Sequence, residues 1–298
     1  MQVELDYLKL NEEEVYIIGH RNVDVDSILS GYLLSKLFSV YGIKNQFVLS
    51  GIVSKDTVEI LEKIDFDYEK YYGDVPNGAS VFLVDHYDLT ASDLGQDKVV
   101  KVVGCIDHHP NDRMISYPFY QYEKCGCCAK IIFDLMGDSE TERDEILTLL
   151  ALMVDTCALR SNKVTKQDLE WADMIRLKDE NIFNEIEQIG MCQTDMNSPL
   201  DVIATNGQKT AYFKKGVVQS SYIQVFEVEW SMVDDILNYC LNKVVETSID
   251  MWCFLIVEFA TNQTYEYRIA QDGINKVCHL GILSRGSDIM PNIEKMYS

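Results

Sequence analysis

The chain has 298 residues, with 26 Lys+Arg against 48 Asp+Glu and a formal net charge of -22. So acidic a composition argues against nucleic acid or an anionic membrane as a general partner, because both attract basic faces. At 47% hydrophobic the chain can bury a sizeable core. No apolar run approaches the roughly 20 residues of a membrane span, no secretory leader opens the sequence, and its nine cysteines then read as reduced cytoplasmic thiols.

In chain order, the first half alternates short apolar runs with helical patterns. VYIIG (15–19) is followed by a helical SILSGYLLSKLF (27–38), then NQFVLSGI (45–52), a helix over DTVEILEKI (56–64), SVFLVDH (80–86) and VVKVVGCIDHH (99–109). CAKIIFDLM (128–136), RDEILTLLALMVDTCAL (143–159) and KQDLEWADMIRL (166–177) read as helices, the middle one apolar nearly all round and therefore buried. This alternation predicts an α/β fold with a doubly wound, mainly parallel sheet, whose ligands bind beyond the carboxyl ends of the strands. Weak periodicity in MCQTDMNSPL marks 191–200 as a linker between a domain at 1–190 and a smaller α+β domain at 201–298. In the latter, a helix over 233–246 precedes a strand–turn–strand pair, WCFLIVEFA and YEYRIAQ joined by TNQT.

Only five histidines occur, and four of them lie within four residues of an aspartate after an apolar run. The segments are Gly19-His20-Arg21-Asn22-Val23-Asp24-Val25-Asp26-Ser27, Val84-Asp85-His86, Asp107-His108-His109 and Asp155-Thr156. Asp26 or Ser27 could cap the following helix, but one cap needs one acceptor, and the first segment supplies a histidine and two aspartates. Read together, the segments bring His20, Asp24, Asp26, Asp85, His108 and Asp155 to one end of the sheet. Four carboxylates within about 5 Å of one another repel by a few kcal/mol per pair at an effective dielectric near 20. Cations or protons must offset that repulsion. Mixed imidazole and carboxylate ligands suit Mn²⁺, Co²⁺, Fe²⁺ or Zn²⁺, and six ligands suit two ions sharing a bridging carboxylate.

The order GH-x-N-x-D-x-D-S, VDH, DHH, DT resembles the signature motifs of the DHH phosphoesterase superfamily, and within it the family II inorganic pyrophosphatases. GCCAKII (126–132) is similar to that family's helix start, and LSRGSDIMP (283–291) to its closing Ser-Arg-Lys-Lys-Gln segment. The resemblance implies a two-metal hydrolase of a phosphoanhydride, diphosphate first, with Mn²⁺ the expected metal and Co²⁺ or Mg²⁺ as alternatives, and attack by a metal-bridging hydroxide. It places His20, Asp24 and Asp85 on one ion, and Asp26, Asp85, His108 and Asp155 on the other. It gives Asp85, His109 and Arg285 catalytic roles, with His109, Ser284 and Arg285 against the substrate phosphates. Asp107 and His86 would support the ligands from behind. It also implies an active site in the cleft between the domains, a cytoplasmic homodimer and a small phosphate-bearing substrate. Exopolyphosphatases and other small phosphoester hydrolases share the plan, and a weakly active phosphometabolite sensor is the alternative of another class.

Three departures from the family pattern stand out. Val23 replaces the proline of the family's Asn-Pro-Asp-Thr-Asp, and Arg285-Gly286-Ser287 stands where Arg-Lys-Lys is usual; Lys209, Lys214 and Lys215 lie in the region of a second missing lysine without its spacing. Four aspartates and two divalent ions leave the site near neutral, so the −3 to −4 of diphosphate must be met by other cations. Cys125-Gly126-Cys127-Cys128 lacks the second half of a zinc site, so its thiols, with Cys105 and Cys157, read as packing residues. Their backbone amides, at a helix start, could bind a phosphate oxygen.

Overall fold

The computed structural model describes residues 14–298 except 50, 93, 95–97, 112–114 and 192. The chain forms two compact units, one running to Leu159 and resuming over Lys163–Gly190, the other made of Arg160–Asn162 and Met191–Ser298.

The first unit runs β1 (Val15–Ile18), β2 (Asn22–Val23), α1 (Val25–Val40), β3 (Asn45–Val48), β4 (Ile52–Val53), α2 (Lys55–Lys63), β5 (Ser80–Val84), β6 (Lys101–Asp107) and β7 (Phe119–Tyr122). Four helices follow: α3 (Cys128–Met136), α4 (Glu142–Asp155), α5 (Lys166–Lys178) and α6 (Glu180–Gly190). Five strands form a parallel sheet in the order β3-β1-β5-β6-β7, and β2 pairs separately with β4. Central parallel strands are covered on both faces and so read as unbroken apolar runs; every residue of β5, SVFLV, is buried. The chain passes from β1 to β3 on one side and to β5 on the other, which makes the β1–β5 border the switch point where such sheets bind ligands. His20 follows β1 and Asp85 follows β5.

The helix expected over 143–159 stops at Asp155. Cys157, Ala158 and Leu159 adopt left-handed conformations, with φ of 51°, 54° and 61°. The Thr156 hydroxyl donates to the Leu152 carbonyl and accepts from the Leu159 amide, 3.0 Å away, so a side chain ends a helix that apolar periodicity would have continued. Helix α1 is capped by Asp24, which accepts from Ser27 N at 3.1 Å, rather than by Asp26 or Ser27. That frees Asp26, inside the first turn, for other partners.

The second unit comprises α7 (Leu200–Ala204), β8 (Lys209–Phe213), β9 (Gly216–Val225), α8 (Trp230–Glu246), β10 (Met251–Glu258), β11 (Gln263–Ala270), β12 (Gly273–Leu280), a π-helical turn (Arg285–Ile289) and α9 (Met290–Tyr297). Its sheet order is β12-β11-β10-β9-β8, antiparallel except for β9 beside β10. Strand β10 alternates its apolar side chains between two layers. Trp252, Phe254 and Ile256 pack on Val233, Ile236 and Cys240 of α8. Cys253 and Leu255 pack on Ile289 and Ile293. Each large side chain so buried contributes about 1.5–3 kcal/mol. Among the described residues no helix is long and apolar enough to cross a membrane.

Candidate metal centre

Three strand ends and two helices of the first unit converge on one set of side chains. His20, Asp24 and Asp85 each present a ligand atom within 4.8 Å of the others, and so do Asp26, His108 and Asp155, and Asp85, His108 and His109. Asp85 belongs to two of these groups and lies at the centre. Its Oδ2 is 3.2 Å from His20 Nε2, and its Oδ1 is 3.2 Å from His108 Nε2. His108 Nε2 also faces Asp155 Oδ2 at 3.5 Å and Asp26 Oδ2 at 3.7 Å. Asp85 itself has φ 63°, a left-handed conformation uncommon for a residue other than glycine, asparagine or aspartate.

The loop carrying the first ligands is pinned from both sides. Asn22 and Val23 pair with Ile52 and Val53, and the Arg21 amide donates to Ala91 O at 2.9 Å. This pairing holds the segment at the position where a proline was expected. Gly19 makes the turn possible, since a Cβ there would lie 2.0 Å from Ser27 Oγ.

Burial raises the energetic stakes. Asp26, Asp85 and His108 are all buried. Burial alone pushes Asp85 up, yet hydrogen bonds with His108 and His20 outweigh it and hold the carboxyl well below its ordinary range. Burial and then the Asp85 charge push Asp26 well up, while amides at the start of α3 pull the other way. His108 loses from burial, but Asp85, Asp155 and Asp26 more than offset this and raise it to about 10. The site therefore carries excess negative charge that protons must balance if divalent ions do not.

The donor set fits such ions. His108 Nδ1 lies 3.1 Å from the Cys125 carbonyl, which can only accept, so Nδ1 carries the proton. In the neutral ring Nε2 then has a lone pair, and it faces the buried Asp85 Oδ1, which the ring no longer satisfies once its Nε2 proton is gone. A lone pair and a carboxylate oxygen 3.2 Å apart call for a cation between them. Metal capture must expel the His108 proton and those held by the raised His20 and Asp26, so Mn²⁺ affinity should rise by at least about tenfold per pH unit from pH 6 to pH 8. Titrations of Mn²⁺ at pH 6, 7 and 8 would show this, and a flat affinity would contradict it.

The α3 entrance supports the ligands. This helix has no side-chain cap of its own. Asp26 Oδ2 accepts from Cys128 N at 2.7 Å and Oδ1 from Ala129 N at 2.9 Å, with Ser30 Oγ at 3.1 Å. The Gly126 amide donates to Asp168 Oδ2 at 2.9 Å. Of the amides expected to be open to a phosphate oxygen, those of Gly126 and Cys128 are thus taken by carboxylates. A Cβ on Gly126 would sit 2.4 Å from Leu152 Cδ1 and 2.8 Å from Thr156 Cγ2. Gly126→Ala should cost about 1–3 kcal/mol and, by shifting the Cys125 carbonyl behind His108, weaken Mn²⁺ binding about 10–100-fold. Thermal melts and metal titration check the two effects separately.

Asp107 Oδ1 accepts from His109 N at 3.1 Å and lies 2.9 Å from His109 Nδ1, so it orients the His109 ring. His86 bonds the Val84 carbonyl through Nδ1 at 2.9 Å and stands edge-on to His20. Burial drives its pKa down to about 4, so it is neutral. The thiols of Cys105, Cys127 and Cys128 are pushed up by burial and donate, where they bond, to backbone carbonyls. Among the described residues the metal-capable groups contain no cysteine. Arg285 and Ser284 lie in the second unit; the Arg285 guanidinium stacks 5.1 Å from the Tyr222 ring and donates to the Gly207 carbonyl.

Two residues escaped the sequence reading. Asp168, buried, accepts from Thr165 and Gly126 together, and its only sequence signal is the Thr165-x-x-Asp168 capping pattern. Lys163 reaches both oxygens of Asp155, at 3.0 and 2.9 Å. Burial works against its charge, but Asp155 more than offsets it and raises the ammonium above its ordinary range.

A parallel sheet with an aspartate–histidine cluster at its switch point is the architecture of a metal-dependent phosphoesterase. Residues 14–154 match the model described as the DHH family, N-terminal domain. Over 317 residues it is 26% identical to the manganese-dependent inorganic pyrophosphatase of Methanocaldococcus jannaschii, covering 95% of this chain and 99% of that one. A Brevibacillus brevis protein named as a probable enzyme of the same type is 24% identical over 307 residues, with 94% and 97% covered. The crystal structure of a Methanococcus jannaschii protein described as a family II inorganic pyrophosphatase shares the fold, with a TM-score of 0.72 at 22% identity over 95% and 99% of the two chains.

Proposed function

We propose that the chain is a two-metal-dependent phosphohydrolase that cleaves a phosphoanhydride, diphosphate to two phosphates, with Mn²⁺ as its metal. The observation that carries this reading is the shared position of Asp85, between the His20–Asp24 pair and the His108–Asp26–Asp155 group. His20, Asp24 and Asp85 would hold one ion, and Asp26, Asp85, His108 and Asp155 the other. When bound, such a pair supplies Lewis-acid polarisation of phosphoryl oxygens and a nucleophile at neutral pH. The chain's own groups do the rest. Asp107 holds Nδ1 of His109 and leaves Nε2 on the other side of the ring to face a substrate oxygen. The C-terminal domain, 201–298, is assigned to substrate binding, with Arg285 and Ser284 as phosphate contacts. Full-length relatives named as manganese-dependent pyrophosphatases support the substrate. Free thiols at the eight described cysteines support a cytoplasmic setting, and the family resemblance a homodimer, which sedimentation would test.

The test is phosphate release with Mn²⁺, Co²⁺ or Mg²⁺ from diphosphate, tripolyphosphate, long polyphosphate and a cyclic dinucleotide. Fastest release from diphosphate with Mn²⁺ is expected. Preference for tripolyphosphate would replace the substrate but keep the metal chemistry, and no release from any of them would overturn the reading.

A further inference from the structure

Lys163 is the cationic side chain that metal-ligand spacing does not anticipate. It is recruited by backbone shape. Helix α4 ends at Asp155, the left-handed residues Cys157, Ala158 and Leu159 reverse the chain, and position 163 returns to the helix end. There Nζ contacts Asp155 Oδ1 at 3.0 Å and Oδ2 at 2.9 Å, with the lysine side chain only 16% exposed. The same Oδ2 lies 3.5 Å from His108 Nε2. A fixed positive charge thus sits one carboxylate away from the point where Asp26, His108 and Asp155 meet.

Resting on the metal-dependent reading above, we infer that Lys163 is a built-in third cation of this centre, which competes with the second ion for Asp155 and supplies positive charge to the phosphate that the ions bind. Four aspartates balance two divalent ions and leave nothing over for the substrate. One further ammonium makes the loaded centre cationic, which answers in part for the lysines replaced by Gly286 and Ser287. The same charge repels a divalent ion a few ångström away, so Lys163 trades metal affinity for phosphate affinity. An orienting role alone would require only a hydrogen-bond donor on Asp155, and that difference separates the two explanations.

The experiment compares Lys163→Met, Lys163→Gln and Lys163→Arg in the full-length chain. Methionine keeps the buried aliphatic stem, glutamine keeps a donor to Asp155 without charge, and arginine keeps the charge. Free Mn²⁺ followed by electron paramagnetic resonance gives the stepwise affinities of the two ion sites. Calorimetry with inorganic phosphate on the Mn²⁺-saturated protein gives anion affinity. Met and Gln should each tighten one of the two Mn²⁺ binding steps by about tenfold or more and weaken phosphate binding by a similar factor, with Arg close to wild type. If Gln restores wild-type behaviour, the role is positional and the proposal fails. It also fails if Mn²⁺ binding weakens in Gln, or if phosphate affinity survives in Met and Gln. These are binding readouts, so they stand apart from the diphosphate assay: a wild-type chain that binds Mn²⁺ and phosphate but hydrolyses nothing would remove the hydrolase reading and leave the Lys163 result to be judged by its own numbers.

Discussion

Asp85→Asn should strip the centre of tightly bound Mn²⁺ and lower diphosphate turnover roughly 10³-fold or more, the several kcal/mol that metal polarisation supplies. Asp85 is the one carboxylate that both histidine groups share, 3.2 Å from His20 and 3.2 Å from His108. Asparagine keeps the shape, and it tolerates the left-handed backbone at this position, φ 63°, better than most residues. The variant should therefore keep its far-ultraviolet circular dichroism while losing metal, which separates ligand loss from misfolding. Asp24→Asn is the informative contrast. Asp24 is the more exposed ligand, with 42% of its side chain open, and it belongs to one group only. Its loss should weaken one ion and spare the other. Two Mn²⁺ still held tightly by the Asp85→Asn protein, with near-normal turnover, would refute the bridging role.

The ligands were legible because each follows a strong local signal. His20, Asp85 and His108 stand just past β1, β5 and β6, whose apolar runs define the sheet, and parallel topology carries their ends to one edge. What escaped depends on tertiary structure. Cys157, Ala158 and Leu159 have no turn chemistry, so apolar periodicity extends the helix to 159; the Thr156 hydroxyl, the Ala158 amide on the Met153 carbonyl and the packed surroundings hold them left-handed. Lys163 could not be placed beside Asp155 without that reversal. The Asp26 carboxylate was readable as a ligand but not as the acceptor for α3, because that contact joins residues 102 and 103 positions apart. Helix α6 was missed for a weaker reason: ENIFNEIEQIG buries only Phe183, Ile186 and Gly190, a thin apolar stripe next to an expected linker.

The double duty of Asp26 yields the second large effect, one that metal cannot rescue. Its two oxygens accept separate backbone donors, Cys128 N on Oδ2 and Ala129 N on Oδ1, in a fully buried setting. Asparagine offers one acceptor oxygen. Its amide nitrogen must then confront one of those N–H groups, leaving a buried donor unpaired at the start of a helix with no other side-chain cap. Asp26→Asn should thus destabilise the protein by about 2–3 kcal/mol and lower Tm by roughly 5–10 °C in a domain of this size. Mn²⁺ binding should weaken as well, since Asp26 faces His108 and Asp155. The two losses have different causes and can be told apart. Chelator lowers the Tm of wild type only by what metal binding contributes, so the Asp26→Asn protein should remain less stable than wild type when both are melted in chelator. Equal Tm values under those conditions would mean that Asp26 serves the ions alone and that the α3 amides find water or another acceptor instead.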